Sequence, residues 1–297
     1  MEIGSILPMM TSVIELASIY SLVTLGLAFS FRMVGFADLT IESSFTTGAA
    51  VYAILISTAS CSPLFSLVAA TIVGGIAGTL TALLHVKGRI SKLLSGIIMM
   101  TVLYSVNLQI MGKSNIQLVS SASVLDAIPA HLRTFVLGAG AVILYLGSYF
   151  LLRTHLGYLL RTCGESLQVV AKLGYNSSLL IIIALMISNA LTSLSGAVAA
   201  QYLGYSDIGM SSGLIVSALA GLIIGEAICP PKSIFFLLLA AFIGSFIYRF
   251  AFEIGLRMHI HPWNLKIAVG ILLAISLVVK QALSRRRSKL LVGVEAL

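Results

Sequence analysis

A small set of carboxylate, amide and hydroxyl side chains interrupts long apolar stretches of this sequence. The set comprises Asp38, Glu42, Ser43, Ser44, Asn107, Asn189 and Ser193. Polar groups are costly at membrane depth, so they serve either as hydrogen bonds between helices or as the lining of a polar passage. Asp38 is also well placed to cap a following helix, with Glu42 in its first turn favoured by the helix dipole. We interpret the set as candidates for a translocation path.

The sequence contains no pattern that would carry out catalysis. It has no GxSxG or HExxH motif. The tripeptide Gly112–Ser114 imitates only the end of a phosphate-binding loop, because Asn107 stands where the first glycine would be. His259 and His261 are too few ligands for a convincing metal site. We therefore predict that the chain is not an enzyme and binds no cofactor or metal of its own.

The longest basic connection between apolar stretches covers residues 153–178 and contains several glycines. Residues 165–173 within it predict a short helix with Leu167, Val170 and Ala171 on one face. Such a helix either lies on the membrane surface or docks into a groove of a partner protein. The pattern alone leaves both interpretations open.

The composition makes lipid the natural solvent of this chain. Of its 297 residues, 59% are hydrophobic and 9% are charged, whereas soluble domains carry about 25% charged residues. A soluble fold of this size could not bury so much apolar surface. The net charge of +8 comes from basic residues in short loops, and not from the basic stripe expected for nucleic-acid binding. We therefore predict an integral membrane protein with no nucleic-acid partner.

Nine continuous apolar runs predict an all-α, polytopic bundle of about 8–10 transmembrane helices. The runs are 9–31, 40–59, 64–86, 93–111, 133–152, 178–201, 213–229, 233–252 and 264–282. The second and seventh runs are short and rich in Ser, Thr and Gly, so either could be broken or re-entrant. We divide the chain into one membrane domain, residues 1–284, and a basic tail, residues 285–297.

The basic residues are distributed unequally between the two sides that these runs define. If the stretch after the first run is cytoplasmic, thirteen of the eighteen Lys and Arg residues lie on the inside. The positive-inside rule then places the N-terminus outside and the basic tail inside. No Lys or Arg precedes Arg32, so we expect the first run to remain as a helix and not to be removed as a signal peptide.

Two stretches of the sequence resemble each other when they are aligned without gaps, namely GFADLTIESSFTTGAAV and GYSDIGMSSGLIVSALA. The alignment pairs Gly35 with Gly204, Asp38 with Asp207, and Ser43 with Ser212. The predicted topology puts the two copies on opposite sides of the membrane. This arrangement is typical of an inverted repeat with broken helices, here near 36–48 and 205–217. Chance similarity between two stretches rich in Gly and Ser is the alternative.

Several longer motifs resemble one family of transport proteins. They are GLAFSFRMVGFADLTIESSFTTGAA from Gly26, SGIIMMTVLYSVNLQIMG from Ser95, GYLLRTCGESLQVVAKLGYN from Gly157, SNALTSLSGAVAAQYLGYSD from Ser188, GLIVSALAGLIIGEA from Gly213 and GSFIYRFAFEIGLRMHIHPWNLK from Gly244. In this order they are similar to permeases of the branched-chain amino-acid and ribose importer superfamily of ABC transporters. The closest resemblance is to the subgroup linked to tryptophan and tyrosine uptake. Ser43 departs from that subgroup, which usually has glycine there, so a glycine-dependent break at this position is in doubt.

The resemblance implies a set of partners and an external energy source. It implies a second permease in a homodimer or pseudo-dimer, two cytoplasmic ATPase subunits that bind ATP and Mg, and an extracytoplasmic solute-binding protein. It also implies that residues 153–177 form a cytoplasmic coupling loop that engages the ATPase. The coupling positions that we carry over or expect there are Gly157, Arg161, Gly164, Glu165, Ala171 and Gly174.

We therefore expect a permease of the bacterial inner membrane that is surrounded by lipid and moves a small solute by alternating access. An amino acid, with an aromatic one as the first candidate, is the expected substrate. The alternative is a secondary carrier driven by an ion gradient, in which Asp38, Glu42 or Glu226 would be the coupling carboxylate. A membrane-embedded enzyme would need a convergent acid/base or metal set that the sequence lacks.

Overall fold

The computed structural model describes residues 6–118, 125, 128–257, 264, 267 and 270–271 of the chain. Most of the ninth apolar run and the whole basic tail lie outside these residues, as do His259 and His261. Contacts divide the chain into two compact units, Met1–Arg249 and Phe250–Leu297.

The described residues form helices joined by short connections, with one pair of short strands. The helices are α1 (Ile6–Leu27), a π-helix (Ala28–Met33), α2 (Thr40–Ser57), α3 (Pro63–Val86), α4 (Lys92–Met111), α5 (Ala130–Arg153), α6 (His155–Glu165), α7 (Leu167–Lys172), α8 (Ser177–Leu203), α9 (Leu214–Ile228) and α10 (Ile234–Arg257). Strands β1 (Asn115–Gln117) and β2 (Tyr205–Asp207) pair antiparallel, with Ile116 opposite Ser206.

Six helices within the described residues are long and apolar enough to cross a membrane. They are Met10–Met33, Pro63–Val86, Lys92–Met111, Leu132–Arg153, Ser177–Leu203 and Ile234–Leu256. These six correspond to predicted runs one, three, four, five, six and eight. The second and seventh runs are α2 and α9, and α9 has only 15 residues, fewer than the roughly 20 that a full crossing needs. The prediction of an all-α, polytopic membrane protein is confirmed.

Helix α8 occupies the centre of the bundle and packs most extensively against α2 and α3. Small residues make this close approach possible. A Cβ atom on Gly48 of α2 would overlap the Ser193 carbonyl oxygen, and one on Gly78 of α3 would overlap that of Leu185. Because lipid supplies no hydrophobic driving force between helices, tight contacts of this kind hold a membrane bundle together.

The outer helices expose large apolar side chains. On α3, for example, Leu64, Phe65 and Ile72 are 58–69% exposed. A surface of this kind would be an aggregation hazard in water, whereas hydrocarbon solvates it. The exposed surface therefore agrees with a multi-pass protein embedded in lipid.

The loops associate in the two groups that the predicted topology requires. Lys92 Nζ donates to the Gly35 carbonyl oxygen at 3.0 Å, which joins two loops predicted on one side. Gly164, predicted on that same side, packs against the Met33 carbonyl oxygen. The strand pair joins two segments, 115–117 and 205–207, that are both predicted on the other side.

The two aligned stretches share a local backbone conformation. Gly35 and Gly204 are both left-handed, with φ of +61° and +74°. In each copy the aspartate three residues later accepts a hydrogen bond from the backbone N–H two residues further on. The bonds are Thr40 N–H to Asp38 Oδ1 at 2.9 Å and Gly209 N–H to Asp207 Oδ1 at 2.8 Å. The alignment therefore pairs residues that form the same turn. The N-cap residue of α2 is Leu39 and not Asp38 as predicted, although Asp38 accepts from the N–H of the first helical residue, Thr40.

The two breaks between helices cover fewer residues than the predicted ranges, 36–48 and 205–217. The first is confined to residues 34–39, and residues 40–48 are regular helix in α2. Ser43, where a glycine-dependent break was in doubt, lies inside this unbroken helix. The second interruption covers residues 204–213 and ends where α9 begins.

Candidate functional site

Four of the seven predicted path residues take part in hydrogen bonds between α2, α3 and α8. Asn189 donates through Nδ2 to Asp38 Oδ2 at 2.7 Å, and its Oδ1 accepts from Ser44 Oγ at 2.6 Å. Ser193 Oγ donates to the Ala70 carbonyl oxygen at 2.7 Å. All four side chains are at most 1% exposed. Their polar groups therefore satisfy one another within the helix interfaces, as buried polar groups must.

The other three predicted path residues line one cavity of about 240 Å³. Glu42 and Ser43 approach it from α2, and Asn107 approaches it from α4. The rest of the wall is formed by Thr46, Met100, Tyr104, Ile208, Gly209, Ser211 and Ser212. The wall is rich in hydroxyl, amide and carboxylate groups, and the Tyr104 side chain is 50% exposed. Helices α2 and α4 and the segment before α9 thus enclose a polar chamber inside an apolar bundle.

Glu42 connects this chamber to the start of α9. Its Oε1 accepts from the Ile215 backbone N–H at 3.3 Å. The N-cap residue of α9 is Gly213, which has no side chain to bind the free N–H groups of the first turn. The carboxylate of α2 supplies an acceptor and a negative charge at that positive helix end instead.

Asn107 carries a buried acceptor, its Oδ1, that no described residue satisfies. Its Nδ2 donates to the Ser43 carbonyl oxygen at 3.2 Å, and since that oxygen can only accept, the amide orientation is fixed. The residue is 1% exposed, and no donor of the described residues reaches its Oδ1. A buried acceptor without a donor costs about 1–3 kcal/mol. Such an unsatisfied group beside a polar chamber suggests a role in binding.

The predicted coupling residues lie on α6, α7 and the turn after them. Gly157 packs against the Leu152 backbone and accepts from Arg161 Nε at 3.4 Å. Glu165 and Ala171 are exposed. Gly174 has φ of +81° and open space around it.

The short helix predicted over residues 165–173 is present as α7, although it begins at Leu167 because Glu165 is the last residue of α6. Only Val170 is buried, whereas Leu167 is 47% exposed and Ala171 is also exposed. Helix α7 contacts α6 and α8, and Val170 is its one buried residue. Apolar side chains of Leu167, Val169, Leu173 and Tyr175 therefore remain uncovered, at 44–53% exposure.

The π-helix links this loop to α9. A Cβ atom on Gly164 of α6 would overlap the Met33 carbonyl oxygen at the end of the π-helix. The preceding residue, Arg32, forms an ion pair with Glu226 near the end of α9. Since the other end of α9 bonds to Glu42, one helix joins the neighbourhood of the loop to the chamber.

Comparison with known proteins identifies the family. Residues 9–277 match the family described as branched-chain amino acid transport system / permease component. The chain belongs to this permease family. A tyrosine transport system permease protein of Clostridioides difficile (strain R20291) is 36% identical over 264 residues, which cover 88% of each chain. An uncharacterized protein of Rickettsia prowazekii (strain Madrid E) is 34% identical over 264 residues, covering 85% of this chain and 91% of the relative. No solved structure matches the chain.

These comparisons confirm the family resemblance carried by the sequence motifs, including that to the tryptophan and tyrosine subgroup. The permease is thus a multi-pass membrane component of a transport system.

Sequence reasoning missed several residues of the permease's chamber, although local signals pointed to them. Thr46 lies one helical turn after Glu42, and Tyr104 lies one turn before Asn107, so each faces the same way as a predicted residue. Ser212 is the aligned counterpart of Ser43, and both line the chamber. Helical periodicity and the repeat would together have found all three.

Proposed function

We propose that the permease is the membrane-spanning subunit of an ATP-binding-cassette importer that moves an amino acid by alternating access. The observation that carries this proposal is the connection through α9. One end of this helix bonds to Glu42 in the chamber, and the other pairs with Arg32 beside the coupling loop. Motion imposed on the loop can therefore reach the chamber through rigid helices.

The chamber supports an amino-acid substrate. Glu42 and the Oδ1 of Asn107 are acceptors that suit an ammonium group. The half-exposed ring of Tyr104 offers an aromatic surface next to them. The relative from Clostridioides difficile is named for tyrosine transport. We therefore propose an aromatic amino acid, with tyrosine to be tested first. In this proposal Asp38, Ser44, Asn189 and Ser193 hold the wall of the path in place.

The coupling loop supports a separate energy source. Its uncovered apolar side chains, together with Lys172 at the end of α7, form a surface that suits a groove on an ATPase subunit. Gly164 transmits movement of α6 to the π-helix by direct contact. ATP and Mg would be bound by two such ATPase subunits, and not by the permease.

The proposed assembly contains two permease copies, the ATPase pair and an extracytoplasmic solute-binding protein. It resides in the bacterial inner membrane, with the N-terminus outside and the basic tail in the cytoplasm. The excess of basic residues on one side supports this orientation. The chamber, which adjoins the segment before α9, would then face the side from which substrate arrives.

Reconstitution tests the proposal directly. The full complex is placed in liposomes with the solute-binding protein, and uptake of labelled tyrosine is measured with and without internal ATP. We expect uptake only when ATP, the ATPase and the binding protein are all present. Uptake by the permease alone, driven by a proton or sodium gradient, would contradict the proposal and establish the secondary carrier instead.

The coupling loop is tested in the same liposomes by substituting Glu165 and Gly174. We expect substrate-stimulated ATP hydrolysis to fall while the complex still assembles. Unchanged stimulation in both variants would remove the loop from the mechanism.

A further inference from the structure

An apolar groove of about 340 Å³ lies between α5 and α10, away from the chamber. Four aromatic rings line it along with aliphatic side chains. The ring centroids of Tyr145 and Phe242 are 5.1 Å apart, and those of Tyr149 and Phe235 are 6.0 Å apart. These pairs run in opposite sequence directions, so α5 and α10 are antiparallel along the groove. Its wall is almost wholly hydrocarbon, which suits an apolar chain.

Two exposed cations lie at one end of this groove. The Arg153 guanidinium carbon is 5.4 Å from the ring centroid of Tyr149, which lines the groove. Lys232 precedes the groove residue Phe235 by three positions. Because α5 ends where α10 begins, Arg153 and Lys232 belong to the same end. Both are exposed.

No acidic side chain of α5 or of the first half of α10 balances the cations. The sequence has no Asp or Glu between Asp126 and Glu165, and none between Glu226 and Glu253. Helix α6, which packs against α5, adds His155 at its start. The groove thus ends in a region of positive charge, and the nearest acidic residues in sequence are Glu165 at the far end of α6 and Glu226 in α9.

We propose that this groove binds an anionic phospholipid. An acyl chain occupies the apolar slot between α5 and α10, and the negatively charged headgroup contacts Arg153 and Lys232. Basic pockets between transmembrane helices are known to hold anionic headgroups. A neutral phospholipid would fill the slot equally well but would leave the excess positive charge without compensation. The inference does not depend on the transported substrate.

The test uses the full-length permease in detergent, with dioleoyl phosphatidylglycerol as the probe. Bound lipids are counted by native mass spectrometry during a titration, and dioleoyl phosphatidylcholine serves as the neutral comparison. We expect one phosphatidylglycerol to bind clearly more tightly than phosphatidylcholine. Removing both cations in Arg153→Gln/Lys232→Gln should weaken that binding at least about tenfold, since each surface cation contributes about a fivefold preference for anionic lipid.

A matched variant controls for charge alone. Lys87→Gln/Arg89→Gln also removes two exposed cations, but they follow α3 and lie outside the groove lining. We expect it to bind phosphatidylglycerol like the wild type. A third variant, Leu146→Trp, fills the slot and should weaken both lipids, because the acyl chain loses its place.

Three results would overturn the proposal. Equal weakening by the two charge variants would indicate general attraction to a cationic surface. Equal affinity for the two lipids would remove the role of headgroup charge. A shift of the protein from dimer to monomer in Leu146→Trp, with lipid binding unchanged, would make the groove an interface between permease copies. If Leu146→Trp fails to fold, the two charge variants decide the question.

Discussion

Asp38 is 1% exposed and uses both carboxylate oxygens, one for the Thr40 backbone N–H and one for the Asn189 amide. Asp207 forms the same turn with Gly209 but is only partly buried, beside the strand pair. The two residues therefore provide a natural comparison of one turn in two surroundings. The two turns differ in the free energy that is lost when the donors to the aspartate are left without an acceptor.

We expect Asp38→Ala to destabilise the permease by about 2–4 kcal/mol, because it leaves two buried donors without an acceptor. Asp207→Ala should cost less than about 1 kcal/mol, because water can reach its partners. Thermal unfolding in detergent, followed by loss of the monodisperse species, measures both. Similar losses in the two variants would contradict a buried network centred on Asp38.

Cys163 provides a second test at this scale. It is 2% exposed on α6, and burial raises the pKa of its thiol. Less thiolate is therefore present at neutral pH, so maleimide should react with Cys163 on the order of tenfold more slowly than with Cys61 or Cys229, which are less buried. The rate should increase from pH 7 to pH 9 as the thiol deprotonates. Variants that retain one cysteine each give the three rates, and fast labelling of Cys163 at pH 7 would show that α6 is not packed as described.

The contact between α6 and the π-helix depends on the absence of a side chain at Gly164. We expect Gly164→Ala to push α6 away from Met33 and to reduce substrate-stimulated ATP hydrolysis severalfold. Gly147→Ala is the matched control, because Gly147 is also helical and a Cβ there meets nothing within 4 Å. Stimulation is measured in the reconstituted complex. If both variants behave like the wild type, the contact does not transmit motion.

The ion pair between the π-helix and α9 can be examined with a double-mutant cycle. Glu226 is 5% exposed and Arg32 is 31% exposed. We expect Arg32→Gln and Glu226→Gln each to destabilise the protein by about 1–3 kcal/mol, a value reduced from that of a fully buried pair because Arg32 reaches solvent. The double variant should lose less than the sum of the two. Additive losses in thermal unfolding would show that the two side chains act independently.

The elements differ in how far the sequence could predict them. The six long spans follow from hydropathy alone, because lipid requires continuous apolar helices. The end of the break before α2 was less certain, since Asp38, Glu42 and Ser43 are polar on either side of the helix start. The pairing of Arg32 with Glu226 joins residues 194 positions apart. A local sequence pattern cannot predict a contact between residues so far apart in the chain. The pairing of β1 with β2 could not be predicted for the same reason.

The sequence could identify the polar residues of the chamber wall only in part, because contacts between distant segments decide which of them line it. Polar side chains cost free energy at membrane depth, so the sequence marks them as important. It does not show which of them face one another. Asn189 and Asn107 look alike in sequence, yet one satisfies Asp38 and Ser44 while the other lines the chamber. Only the packing of α2 against α8 and α4 separates the two roles.

The whole molecule presents two groups of loops whose placement on opposite sides can be tested. Lys113→Cys and Lys172→Cys, each introduced after the three native cysteines are replaced, are exposed to an impermeant thiol reagent in intact cells. We expect Lys113→Cys to be labelled in intact cells and Lys172→Cys only after permeabilisation. The reverse pattern would invert the proposed orientation and place the coupling loop outside, where no ATPase could reach it.

The π-helix determines which changes in length the chain can tolerate between α1 and α2. A π turn accommodates more residues than an α turn. Inserting one more residue between Ala28 and Arg32 would exceed what this turn already absorbs and would rotate the chain beyond it by about 100° relative to α1. Arg32 would then point away from Glu226, and the Gly35 carbonyl oxygen would no longer accept from Lys92. In this stretch the permease should therefore tolerate the loss of one residue, which relaxes the turn to α geometry, better than the gain of one.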